Sequence, residues 1–110
     1  MPYDQSLADR IRELVAATPG VTERKMFGGL AFLVNGNMAI AASGEGGLLV
    51  RVSPEESDEL EATTKAETAV MQGRRMRGWL RVPAEHVPSA EELRRWADLG
   101  TSYARSLPAK

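Results

Sequence analysis

The side chains best placed by type and spacing to do chemistry are Arg75, Arg77, Trp79 and Arg81, at alternating positions within 74–82. Read with the two-residue period of a β-strand they share one face, and Met76, Leu80 and Val82 share the other. Three guanidiniums beside an indole could hold an anion or stack bases over a basic groove. The same pattern also describes a solvent-facing sheet surface whose arginines pair with Glu55, Glu56, Glu59 or Glu61, with Trp79 lying under their stems. As a functional face, the four residues suit a protein or acidic partner surface better than nucleic acid.

The other candidates are weaker. Gly28-Gly29 and Ser43-Gly44-Glu45-Gly46-Gly47 match neither the P-loop nor the dinucleotide pattern, and neither leads into a helix whose N-terminus could face a phosphate. The second is a hairpin loop. The first, within an apolar strand, marks a bulge or a close approach of another backbone or side chain. His86 is the single histidine and sits beside Glu85 between Pro83 and Pro88; with no cysteine in the chain, no second soft ligand exists to build a metal site. No Gly-x-Ser-x-Gly elbow accompanies the serines. The acidic run Glu55, Glu56, Asp58, Glu59, Glu61 wraps most of a short helix and does not converge on a point. No catalytic residue, cofactor or metal is expected.

Composition narrows the classes. A chain of 110 residues is one domain, long enough to bury roughly two thirds of its unfolded surface. With 43% apolar and 26% charged residues it is an ordinary globular sequence. Fourteen basic against fifteen acidic side chains leave a formal net charge of −1. That balance weighs against autonomous nucleic-acid binding, because phosphate neutralisation supplies most of such affinity. The N-terminus has no basic segment leading into an apolar run, so no signal peptide is expected, and no apolar run approaches the ~20 residues that cross a bilayer. The absence of cysteine fits a reducing cytosol.

The positioning elements follow from periodicity and caps. Asp4 caps a first helix reaching about Ala17, with Leu7, Ile11, Leu14 and Val15 on one stripe, and Pro19-Gly20 ends it. Residues 21–25 lead into an antiparallel meander. Met26 to Val34 is almost wholly apolar, as for a strand covered on both faces or central in its sheet. Asn35-Gly36 is a strong two-residue hairpin signal, Met38 to Ala42 runs back, and Leu48 to Val52 follows the glycine loop. Ser53, Pro54 and Glu56 form a helix start with a capping box, and the helix runs to about Ala62 with Leu60 as its one sizeable apolar side chain. Residues 63–68 read as a connection. Ala69 to Val82 is a second strand region turning at Gln72-Gly73. Ser89 and Glu92 start a last helix whose apolar face holds Leu93, Trp96, Ala97, Gly100, Tyr103, Ala104 and Leu107. Gly100 on that face implies close approach to the sheet. The expected fold is an α+β, two-layer domain with an antiparallel sheet and flanking helices, in the order α-β-β-β-α-β-(β)-α.

Several motifs together resemble the TfoX (Sxy) N-terminal domain family: Arg24-Lys25-Met26-Phe27-Gly28-Gly29-Leu30-Ala31-Phe32, Asn35-Gly36-Asn37-Met38, Leu48-Leu49-Val50-Arg51-Val52, the segment 71–82, and the closing 93–108. They cover essentially the whole chain in order, so residues 1–110 are expected to be a single such domain. The resemblance implies an α+β fold and a bacterial protein. It brings no catalytic residue with it. Full-length members named for competence act as positive regulators of DNA-uptake genes together with the cyclic-AMP receptor protein, and carry a second, helical C-terminal domain that this chain is expected to lack.

Together these features favour a non-enzymatic, cytoplasmic, regulatory domain. It would contact a protein partner (a transcription factor, by the resemblance) or a second copy of itself through Arg75, Arg77, Trp79 and Arg81, with no membrane association. Two alternatives stay open: direct nucleic-acid binding through the same face, and a small-ligand or enzymatic role in a cleft between the meander and the last helix.

Overall fold

The computed structural model describes residues 4–26, 28–44, 46–71, 73–83 and 89–109, with the backbone alone at Met71 and Ala90. Phe27, Glu45, Gln72, Glu85, His86 and Pro88 lie outside the described residues. The elements are α1 (Gln5–Val15), β1 (Val21–Met26), β2 (Gly29–Val34), β3 (Asn37–Ala42), β4 (Leu48–Arg51), α2 (Pro54–Thr63), β5 (Glu67–Met71), β6 (Arg74–Val82) and α3 (Ala90–Ser106). The six strands form one sheet in the order β1-β2-β3-β4-β6-β5, with every neighbouring pair antiparallel.

Local signals set most boundaries. Asp4 accepts the Leu7 N–H at 3.2 Å, Ser53 that of Glu56 at 3.2 Å, and Ser89 that of Glu92 at 3.1 Å, so each helix starts on a side-chain cap. The Ser53 hydroxyl also donates to the Glu56 carboxylate. Asn35 and Gly36 have φ of 52° and 84°, the two positive values that a type I′ turn needs to match the twist of β2 and β3. The β3–β4 loop is closed by the Ser43 N–H donating to the Gly47 carbonyl at 2.9 Å.

Two sequence-based expectations need correction. The lead-in at 21–25 is itself strand β1, paired with β2 from Val21↔Val34 to Met26↔Gly29, so Met26 closes one strand and does not open the next. Its run Thr22-Glu23-Arg24-Lys25 is exposed, as suits an edge strand whose charges discourage further pairing. The second correction concerns β6. Its partner on β5 jumps from Leu80 (opposite Thr68) to Met76 (opposite Ala69). Opposed residues share a face, so the shift puts Met76 on the opposite face from Leu80 and Val82. The reversal falls at Gly78, whose φ is +91° and whose absent Cβ would lie 2.9 Å from the Val52 carbonyl oxygen.

The helices lie on one face of the sheet. Ile11 and Val15 of α1, Leu93 and Trp96 of α3 and Leu60 of α2 join Phe32, Ile40, Leu48, Val50 and Leu80 in the main core. The opposite face carries a second cluster drawn from strands alone: Ala31, Leu33, Met38, Ala41, Leu49 and Ala69, with Met26 and Trp79 packed against it. All six residues of β2 are buried, as its unbroken apolar run predicts. The layers meet closely at Gly100, where a Cβ would collide with the carbonyl oxygen of Ala39, the extra residue at the β2–β3 register shift. Asn37, 2% exposed, donates its amide N–H to the Pro108 carbonyl at 2.9 Å and ties the end of α3 to the hairpin.

Two stability outcomes follow. Phe32→Ala empties a fully buried site and should cost ~3–5 kcal/mol in urea unfolding; a loss below ~1 kcal/mol would contradict its place in the core. Gly100→Ala should lower the melting midpoint although alanine is favoured in helices by ~1 kcal/mol, whereas Ser102→Ala, exposed on the same helix, should leave it unchanged or raise it.

Candidate interaction surface

The strand carrying Arg75, Arg77, Trp79 and Arg81 is β6, and the reversal at Gly78 divides the four. Arg75 stands opposite Val70 in the register, and its Nη2 donates to Glu61 Oε1 at 2.9 Å. Arg77 Nη2 donates to Asp58 Oδ2 at 2.9 Å and to the Pro54 carbonyl at 3.2 Å. Both arginines therefore tie the sheet to α2. Of the acidic partners expected from the sequence, Glu61 is engaged, and Asp58 takes the place of Glu55, Glu56 or Glu59. Glu61 also accepts the Thr68 N–H at 2.8 Å, fixing the start of β5.

Beyond Gly78 the strand faces the other way. Trp79 stands opposite Arg51 of β4 and Arg81 opposite Leu49, on the helix-free face that holds the second cluster. Both are partly exposed. Glu67 of β5 lies directly opposite Arg81. Arg24, opposite Ala31, adds a further exposed guanidinium on this face. Its floor is short and apolar (Ala31, Ala41 and Ala69 among Leu33, Met38 and Leu49), and arginines rise around it.

Arg51 is the residue that sequence reasoning does not single out. It is one polar position in the run Leu48-Leu49-Val50-Arg51-Val52, and alternation would only place it on the face away from Val50. Its guanidinium carbon lies 5.0 Å from the centroid of the Trp79 ring and 5.7 Å from that of Tyr103 on α3, within range for cation–π attraction to both. One residue at the end of β4 thus touches a ring from each layer.

Elsewhere the charges serve the fold. Arg12 forks onto Glu23, Nε to Oε2 at 2.6 Å and Nη2 to Oε1 at 2.8 Å, and also donates to Asp9 at 2.7 Å. The Arg12 hydrogen bond holds the Glu23 carboxyl below its ordinary pKa. Beside this pair, a depression of about 240 Å³ opens among Val15, Gly20, Val21 and Phe32. A second, of about 490 Å³, lies over Thr22, Arg24, Leu33 and Gly36. A third, of about 100 Å³, involves Leu93 of α3, and its other walls come from α1. Gly28-Gly29 and the 43–47 loop join strands, and the close approach expected there occurs at Gly29 against the Ala42 carbonyl. Among the described residues, no three His, Cys, Asp or Glu side chains converge as a metal site. Among them, too, no helix is long and apolar enough to cross a membrane.

A family model, the TfoX N-terminal domain, matches residues 13–104. The chain belongs to this family. No curated protein and no solved structure shows significant similarity to it. In this TfoX N-terminal domain the match begins inside α1 and ends inside α3, so it spans the whole sheet and both arginine groups on β6.

The α2 anchor carries a pH dependence. Glu61 has its pKa lowered, chiefly by the hydrogen bond from the Thr68 N–H and then by Arg75. A depressed folded pKa gives stability that is present above the ordinary carboxylate range (~4.3) and lost as pH falls through the lower folded value. The urea midpoints of wild type and Glu61→Gln should therefore differ at neutral pH and converge in acid.

Proposed function

We propose that this TfoX N-terminal domain is a non-enzymatic, cytosolic interaction module that contacts a protein partner through the helix-free face of its sheet around Trp79. The observation that carries the reading is the packing of Arg51 on a partly exposed indole, with Arg81 two positions along the same face, over an apolar floor that no helix residue joins among the described residues. Aromatic and arginine side chains dominate the energetics of protein interfaces, because they bury large areas while keeping directional donors. Arg75 and Arg77 are left out of the contact surface: both hold α2. Membership of the family points to a partner in transcription regulation, of the kind that competence regulators work with.

The second reading, direct nucleic-acid binding, is favoured by the same arginine–tryptophan grouping and disfavoured by the net charge of −1. One experiment separates them. Tagged protein is used to recover partners from its host's lysate with and without nuclease, alongside Arg24→Glu/Arg81→Glu and Arg75→Gln/Arg77→Gln variants of checked melting midpoint. A partner that survives nuclease, is lost with the first pair and is kept with the second is the expected result. Recovery that vanishes with nuclease would move the assignment to nucleic acid, and recovery indifferent to the first pair would remove the face from consideration.

A further inference from the structure

Folding gives several guanidiniums an oxygen partner. Arg12 of α1 and Arg75 and Arg77 of β6 each donate to a carboxylate within the chain, while Arg24 and Arg74 stand exposed on their strands. Arg51 differs. It is partly buried, its contacts are the rings of Trp79 and Tyr103, and no carboxylate or carbonyl accepts from it among the described residues. From this difference we infer that Arg51 is the anion-reading residue of the interaction face and receives a carboxylate from an acidic segment of the partner protein. The inference rests on the protein-contact reading above.

The geometry suits that task. A cation–π contact uses the flat face of a guanidinium, whereas carboxylates are bound at its N–H edge through paired, charge-assisted hydrogen bonds. Rings from two elements restrict the side chain, so less rotamer freedom is lost when a ligand arrives. A single side-chain carboxylate fits better than a phosphate backbone. A phosphate backbone binds chiefly by having many charges neutralised at once, which a chain of net charge −1 does not favour.

The test uses the whole protein and two pools of end-blocked, fluorescently labelled peptides: one rich in Asp and Glu, the other its Asn and Gln counterpart. Binding is read by anisotropy, and the site by the indole N–H resonance of Trp79. The acidic pool should bind and move that resonance, while the amide pool should bind about tenfold more weakly or worse. Arg51→Lys keeps the charge but loses the fork, and should weaken acidic-pool binding by about tenfold at an unchanged melting midpoint. Tyr103→Leu, which keeps the guanidinium and removes one ring, should weaken it to a smaller degree.

Equal binding of the two pools, an indifferent Arg51→Lys, or no binding at millimolar peptide would each overturn the inference. So would a duplex oligonucleotide that displaces the acidic pool with a steep salt dependence. Loss of the partner in the Arg24→Glu/Arg81→Glu pull-down together with an indifferent Arg51→Lys would sink the role of Arg51 and leave the protein-contact reading standing. An empty wild-type pull-down would instead remove that reading itself.

Discussion

Everything distinctive about the surface of this domain depends on the reversal of β6 at Gly78. A strand with unbroken alternation would present Arg75, Arg77, Trp79 and Arg81 together. The positive φ of Gly78 and its approach to Val52 reverse the facing midway, so the first two arginines meet α2 and the last two positions join the helix-free face. A side chain at Gly78 would meet the Val52 carbonyl oxygen, and the Gly78 carbonyl in turn accepts the Val52 N–H at 2.8 Å. The same peptide therefore holds β6 to the chain leaving β4, just before α2 begins. Bulges of this kind re-aim side chains without ending the strand.

The parts of the fold legible in the sequence are those governed by neighbours in the chain. Asp4, Ser53 and Ser89 are read as caps because a cap is a relation between residues three apart. Asn35-Gly36 is read as a turn because few other pairs tolerate its backbone angles. Strand β1 escapes notice because Thr22-Glu23-Arg24-Lys25 shows no apolar alternation. An edge strand with exposed charges has little to bury, and its membership is decided by pairing with β2. The facing of β6 is hidden for a related reason. Period-two counting assumes a constant register, and a lone glycine in a strand signals a bulge without saying how many residues it inserts.

The candidate surface was legible to the same partial extent. The residue types on β6 indicate where arginine and tryptophan gather. Which acids they meet depends on where α2 docks, and the mostly polar sequence of α2 does not fix that. Glu61 is the acid that both expectation and structure share, because it also accepts the Thr68 N–H and so has a second reason to face the sheet. Arg51 and Tyr103 lie 52 positions apart (103 − 51) and on different layers. Their meeting is a consequence of α3 crossing β3 and β4 with Gly100 at the closest point, and no local pattern encodes it.

This arrangement explains how a nearly neutral domain can still present a basic feature. Net charge governs long-range attraction and says little about which groups remain available after folding. Here the carboxylates of Glu23, Asp58 and Glu61 are directed to arginines that join elements: α1 to β1, and α2 to β6. Exposed pairs of this kind contribute little apiece to stability, and their larger effect is to fix the orientation of the helices over the sheet. With those acids engaged on the helix side, the opposite face carries Arg51 against Trp79, Arg81 on the same strand as that ring, and Arg24 at the far edge of the sheet. Its basic character arises from how folding distributes charge between the two faces, and a partner that reads it would be recognising the fold as much as the composition.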